Sequence, residues 1–258
     1  MLGQPMDATQ SRREFKFLLP AEVAEAVRAE VAGHYGGDGH AVADYHITSD
    51  YFDSEDHASY WEKVLGYHNR ERVRTRTYRD HGGGRPPVSF IEIKHRARDL
   101  TTKLRMPLDE DELAATLRGE IPDFEGREGG PRFRISLMHV IESPRWEPLM
   151  RIGYRRKAYD HADGGRLRIT FDSEVRCALP DYASAADVRP DLKVLDEGAQ
   201  VMEVKSIGPV PYWFRDLLGR FSIAPGSLSK YTIAMERHHF GDSSPARNPS
   251  TCKNSSIA

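Results

Sequence analysis

The sequence predicts an α+β fold built on a closed antiparallel β-barrel of about eight strands, with helices packed outside it. Three observations predict this. Segments 12–19, 45–52, 69–79, 87–96, 101–107, 149–159, 166–173 and 200–206 alternate apolar and polar residues with the period of a strand. Glycine-rich turns, Gly82-Gly83-Gly84 within the Asp80 to Pro87 loop and Asp163-Gly164-Gly165, supply the hairpin chemistry of antiparallel connections. The polar faces of these strands are crowded with Arg and Lys, which a lumen holding an anion would tolerate.

Each strand carries that pattern, because side chains two residues apart share a face. Arg12, Glu14 and Lys16 lie opposite Phe15 and Phe17, and Arg72, Arg74 and Arg76 lie opposite Val73, Thr75 and Thr77. Glu92 and Lys94 oppose Ile91 and Ile93, and Lys103 and Arg105 oppose Leu104 and Met106. Arg166, Arg168 and Asp172 oppose Leu167, Ile169 and Phe171, and Glu203 and Lys205 oppose Met202 and Val204. An ordinary sheet with its charges in water is the alternative for any one strand. Taken together, the charged faces are mostly basic, and like charges across a sheet repel unless an anion neutralises them. The apolar faces then pack outward beneath the helices.

Helices fall between the strands. Residues 20–33 place Val23, Val27 and Val31 on one face, and Ser54 can cap a helix over 55–65 that ends at Gly66. Asp109 and Glu112 stand in capping-box positions for 109–118. Further helices are expected over 132–141, over 211–221 after Pro211, and from Ser229 to His238.

Charge is segregated along the chain. The formal net charge is −2, which argues against nucleic acid as a partner. Between Gly66 and Met106, however, Arg70, Arg72, Arg74, Arg76, Arg79, Arg85, Lys94, Arg96, Arg98, Lys103 and Arg105 face only Glu71, Asp80, Glu92 and Asp99. The acids that restore balance follow between Pro107 and Pro131. The segregation marks a local anion site.

No run of about eighteen apolar residues offers a membrane span, Met1 to Pro5 lacks the regions of a secretory signal, and Cys177 and Cys252 form no disulfide framework. A cytoplasmic protein is expected, with one domain over 12–240 between disordered tails at 1–11 and 241–258. Other signals carry less. His81-Gly82-Gly83-Gly84 has no Gly-x-Ser-x-Gly partner, His238-His239 has no metal-ligand spacing, and no Gly-x-x-x-x-Gly-Lys loop is present. Tyr212-Trp213-Phe214, with Leu217, Leu218 and Phe221, has the spacing of a helix packed on a wall.

Across residues 12 to 236 the chain resembles the VTC (vacuolar transporter chaperone) polyphosphate polymerase domains of the triphosphate tunnel superfamily. The segments that carry the resemblance run in order: Arg13-Glu14-Phe15-Lys16-Phe17, Ser49-Asp50-Tyr51-Phe52-Asp53, Arg72-Val73-Arg74-Thr75-Arg76-Thr77-Tyr78, Glu92-Ile93-Lys94 and Lys103-Leu104-Arg105. Then come Tyr154-Arg155-Arg156-Lys157-Ala158-Tyr159, Leu167-Arg168-Ile169-Thr170-Phe171-Asp172, Met202-Glu203-Val204-Lys205 and Ser229-Lys230-Tyr231.

The resemblance implies a triphosphate tunnel in which the γ-phosphoryl of ATP passes to a growing polyphosphate chain and ADP leaves. It implies Lys16, Arg74, Arg76, Lys94, Arg156, Arg168 and Lys205 as catalytic phosphate ligands, and Arg72, Lys103, Arg105 and Lys230 as substrate-binding residues. Glu203 is implied as the carboxylate for Mn²⁺ or Mg²⁺, with Glu14 and Glu92 as weaker candidates. ATP and inorganic polyphosphate are the implied partners, with a membrane protein as a further one. Where the superfamily's hydrolases and cyclases open with Glu-x-Glu-x-Lys, this chain has Arg12, which favours the polymerase branch, and Asp50 stands where the family more often has an apolar residue. A metal-dependent triphosphatase and a noncatalytic polyanion-binding domain stay open as alternatives.

Overall fold

The computed structural model describes residues 12–35, 40–98, 100–141, 146–161, 167–181 and 188–241. The expected tails, the turn at Asp163-Gly164-Gly165 and Arg166 lie outside the described residues, apart from Gly241.

Elements follow in the order β1 (Arg12–Leu19), α1 (Ala21–His34), β2 (His40–Ser54), α2 (Ala58–Val64), β3 (Asn69–Asp80), β4 (Val88–Ala97) and β5 (Leu100–Leu108). After these come α3 (Glu110–Leu117), α4 (Gly130–Ile141), β6 (Trp146–His161), β7 (Leu167–Ala178), the short β8 (Leu192–Lys193), β9 (Gln200–Ile207), α5 (Tyr212–Arg220) and α6 (Lys230–Ala234). A π-helical turn, Met235–His239, continues α6. Each segment with strand alternation forms a strand, and only the two-residue β8 carries no alternation to find it by.

The strands pair in the order β1-β9-β7-β6-β2-β3-β4-β5, with β8 beside β7. This corrects the expected closed barrel to an open antiparallel sheet, because β1 and β5 end the path without pairing to each other among the described residues. Both edges have a physical reason to stay open. On β1 the Lys16 carbonyl accepts the N–H of Gly226 at 2.8 Å, so a loop takes a place another strand would need. On β5, Pro107 has no N–H to donate, and Lys103 and Arg105 discourage a further strand.

Contacts divide the chain into two compact units. In the first (residues 1–45, 155–174 and 195–228), Ala24, Val27 and Val31 of α1 and Phe214 and Leu217 of α5 pack on Phe17, Leu19, Ile169, Phe171, Met202 and Val204. Each of these buried side chains other than Ala24 contributes about 1.5–3 kcal/mol. In the second (residues 46–154, 175–194 and 229–258), Phe133, Leu137, Val140 and Ile141 of α4 cover Val73, Ile91, Ile93, Met106 and Leu108. Within each unit, therefore, the apolar strand faces lie under helices and the charged residues occupy the opposite face.

The capping box of α3 forms as expected, with Asp109 accepting from the N–H of Glu112 and Glu112 accepting from that of Asp109. The start of α2 differs. Ser54 accepts the N–H of Ala58 at 3.0 Å, but Asp53 takes the N–H groups of Ser54, Ser59 and Tyr60 at 2.9, 2.8 and 3.1 Å. A carboxylate has acceptor capacity for several of the helix's unpaired donors where one hydroxyl does not, so the helix begins at Ala58 instead of residue 55.

Candidate functional site

The register of β3, β4 and β5 arranges the second unit's charged face in rows. Arg72 stands opposite Lys94 and Lys94 opposite Lys103, a row of like charges. The next row is Arg74, Glu92 and Arg105, and the one after it Arg76, Phe90 and Pro107.

Glu92, 1 % exposed, joins its neighbours together. Its Oε2 accepts from Nε and Nη2 of Arg74 at 2.9 and 2.8 Å, and its Oε1 pairs with the ammonium of Lys103. Burial alone would raise its pKa, but Arg74 and Lys103 outweigh that and hold the carboxyl at about 2, below the ordinary 4.5. Burial lowers the pKa of Lys103, and Arg74 and Arg76 add repulsion that Glu92 does not cancel.

Tyrosines fill the spaces between the cations. Arg74 Nη1 donates to the Tyr51 hydroxyl at 3.0 Å, and Arg76 Nη2 donates to the Tyr154 hydroxyl at 2.9 Å. Lys230, the first residue of α6, holds its ammonium 4.7 Å from the centre of the Tyr154 ring. Burial would raise the Tyr51 phenol, yet Arg74, Arg76 and Lys230 together hold it below its ordinary value. The cations gathered around this one hydroxyl account for that direction.

Arg72 and Arg76, the most buried guanidiniums of this face apart from Arg74, have no carboxylate partner within ion-pair distance among the described residues. Arg72 donates to the Ser229 hydroxyl at 3.0 Å, and burial depresses its pKa. Arg76 is 6 % exposed and its Nε is buried without an acceptor. A buried, unmet charged donor is costly, and a bound anion would satisfy it.

Asp53 ties the wall of this site together. Besides capping α2, it accepts the Tyr231 hydroxyl at 2.6 Å, and the Tyr231 ring stacks on Tyr51 with centres 5.1 Å apart. Asp50, where the family more often has an apolar residue, turns to the buried side, where it accepts from Arg151 Nε at 2.6 Å and the Thr75 hydroxyl at 2.9 Å.

The first unit's charged face is built differently. Lys16 stands opposite Glu203 and Glu14 opposite Lys205. The Lys16 ammonium lies 3.5 Å from Glu14 and 3.9 Å from Glu203, and Lys205 lies 3.9 Å from Glu14. Arg156 grips Asp172 bidentately at 2.5 and 2.7 Å and reaches Glu203 at 3.4 Å. Arg168 is paired with Asp160 at 3.0 Å.

The candidate residues thus fall into two sets. Arg72, Arg74, Arg76, Lys103 and Lys230 come together in the second unit, where Lys94 and Arg105 stand exposed on the same strands. Lys16, Arg156, Arg168, Lys205, Glu14 and Glu203 belong to the first. No group of three or more His, Cys, Asp or Glu side chains able to hold a metal occurs among the described residues. Glu92 is committed to two cations. Glu203 and Glu14 fit by chemistry a divalent ion that takes the rest of its shell from phosphate oxygens and water, because both are hard oxygen donors flanking Lys16 on one charged face.

Sequence reasoning assigned no role to Tyr51, Asp53, Tyr154, Asp172 or Tyr231. Alternation does place Tyr51 and Asp53 on one face of β2, opposite Phe52, and that signal was present to be read.

The VTC domain family matches this sequence over residues 11–239. The chain belongs to that family. No curated protein matches the chain. Among solved structures, the chain is similar to the candidate adenylyl cyclase HpAC1 of Hippeastrum, which reveals a dominant triphosphatase activity. The two are 13 % identical over 86 % of this chain and 94 % of that one, with a TM-score of 0.49. A candidate adenylate cyclase of Bacillus halodurans is 12 % identical over 84 % of this chain and 92 % of its own, with a TM-score of 0.48. One of Vibrio parahaemolyticus is 11 % identical over 88 % and 99 %, with a TM-score of 0.44. No helix among the described residues of this VTC-domain chain is long and apolar enough to cross a membrane.

Proposed function

We propose that this chain is an ATP-dependent polyphosphate polymerase. The observation that carries this reading is the row Arg72–Lys94–Lys103, cation opposite cation, beside an Arg76 whose Nε has no acceptor. Such a face is stable when phosphate oxygens lie across it, and membership of the VTC family supports phosphate chains as those oxygens' source.

In the reaction a terminal oxygen of polyphosphate attacks the γ-phosphorus of ATP. The bond from that phosphorus to the oxygen bridging it to the β-phosphate breaks, that oxygen leaves with ADP, and the chain grows by one phosphoryl group. No protein nucleophile is needed. The chain's residues have to hold donor and acceptor in line and spread positive charge over the equatorial oxygens. Arg74 suits this best, because Glu92 and Tyr51 fix its guanidinium before substrate arrives. Arg72, Arg76 and Lys230 bind phosphate oxygens, and Lys94, Lys103 and Arg105 extend the track along β4 and β5. Lys16, Arg156, Arg168 and Lys205 serve as phosphate ligands on the other charged face, where Glu203, with Glu14, would hold Mn²⁺ or Mg²⁺. When bound, that ion neutralises phosphate-oxygen charge.

Incubating the purified protein with ATP and Mn²⁺ tests this. Long-chain polyphosphate and ADP in equal phosphoryl amounts are expected. Orthophosphate as the sole product would assign a triphosphatase instead, and salt-sensitive polyphosphate binding without turnover under any divalent ion would assign a binding domain.

A further inference from the structure

The charged face of β3 to β5 changes character at one end. Along β3 the residues on it run Arg72, Arg74, Arg76, Tyr78, and along β4 they run Lys94, Glu92, Phe90. The two aromatic rings meet edge to face, with centres 6.1 Å apart, and both are partly exposed. Each carries a guanidinium. Arg76 lies 5.0 Å from the centre of the Tyr78 ring, and Arg105, on the exposed edge strand, lies 4.8 Å from the centre of Phe90. Arg105 forms no ion pair among the described residues, so the second face of its planar, weakly hydrated guanidinium is available.

We propose that Tyr78, Phe90 and Arg105 form the subsite for the base of a nucleoside triphosphate, its phosphates running from there over Arg76 and Arg74 toward Arg72. The order of the rows supports this polarity. From Arg72 to Tyr78 is three two-residue steps, about 20 Å, a span suited to an extended nucleoside triphosphate. A base layered on Arg105 and Phe90 gains stacking and cation–π attraction. Every base has a π-face, so selection follows ring size: purine triphosphates bind more tightly than pyrimidine ones.

This inference rests on the polymerase reading for the identity of the phosphate donor, but its test needs no turnover. Binding of ATP and of inorganic tripolyphosphate is measured by calorimetry for the wild type, Phe90→Ala and Phe90→Trp. Phe90→Ala is expected to weaken ATP roughly 5- to 30-fold, with tripolyphosphate changed less than about twofold and Phe90→Trp retaining ATP affinity. In the wild type ATP and GTP should bind more tightly than CTP and UTP. Parallel weakening of ATP and tripolyphosphate, or no change in either, overturns the base subsite. A protein that binds ATP through Phe90 but makes no polyphosphate would overturn the polymerase reading and leave the subsite standing.

Discussion

On β3, β4 and β5 cations stand opposite cations, Arg72 against Lys94 and Lys94 against Lys103, whereas on β1 and β9 Lys16 stands opposite Glu203 and Lys205 opposite Glu14. Both faces obey the same period-2 alternation. In the first, Glu92 pairs with Arg74 and Lys103. In the second, Glu14, Glu203, Asp172 and Asp160 match Lys16, Lys205, Arg156 and Arg168. The difference teaches that alternation alone does not say whether a run of cations is matched, because the strands beside it decide that. On the polymerase reading both faces would bind phosphate, and only the second, where carboxylates sit among the cations, would hold the metal.

The largest effect is expected at Arg74. Arg74→Ala strips the guanidinium from Glu92, leaving a buried carboxylate paired only to Lys103, and should cost about 3–5 kcal/mol of stability in denaturant titration together with loss of polymer formation. The same pair sets an acid dependence. The folded pKa of Glu92 lies at about 2, below its ordinary 4.5, so its contribution of about 3 kcal/mol is present above pH 4.5 and disappears as pH falls toward 2. Acid unfolding of Glu92→Gln should therefore approach that of the wild type across that interval. A constant gap between them would show that the residue acts by packing alone.

A smaller change is expected at Glu203. Its ion pairs to Arg156 and Lys16 lie at 3.4 and 3.9 Å, and Arg156 keeps Asp172 without it. Glu203→Gln should shift stability by less than about 1 kcal/mol while lowering Mn²⁺-dependent turnover about 10²-fold, seen as a split between thermal melting and initial rate. Equal rates would move the metal away from this carboxylate and blur the distinction between the two faces.

The smallest is expected at Arg168, whose pair with Asp160 is part-exposed. Arg168→Gln should alter stability by no more than about 1 kcal/mol in urea. A larger loss of tripolyphosphate affinity than of stability would show that phosphate reaches this face as well.

Much of this was legible in the sequence. Eight strands, the α3 capping box and the opposition of charged to apolar faces follow from residues within a few positions of one another, since strand pleat and helix caps are local. Asp53 was not legible as the principal cap of α2, because Ser54 satisfies the usual preference and the carboxylate's additional bond to Tyr231 joins residues 178 positions apart. Nor was the committed state of Glu92, which needs β3 and β5 on either side of β4 to bring Arg74 and Lys103 to its two oxygens.

What the sequence by itself determined is which way each strand faces and where positive charge concentrates, because alternation and composition need no partner. Tertiary structure alone decided whether those charges are matched, which tyrosines brace them, and that the sheet stays open. The register of β1 on β9 and the loop amide on Lys16 join parts of the chain distant in sequence, and only the strand order shows that β5 is an edge.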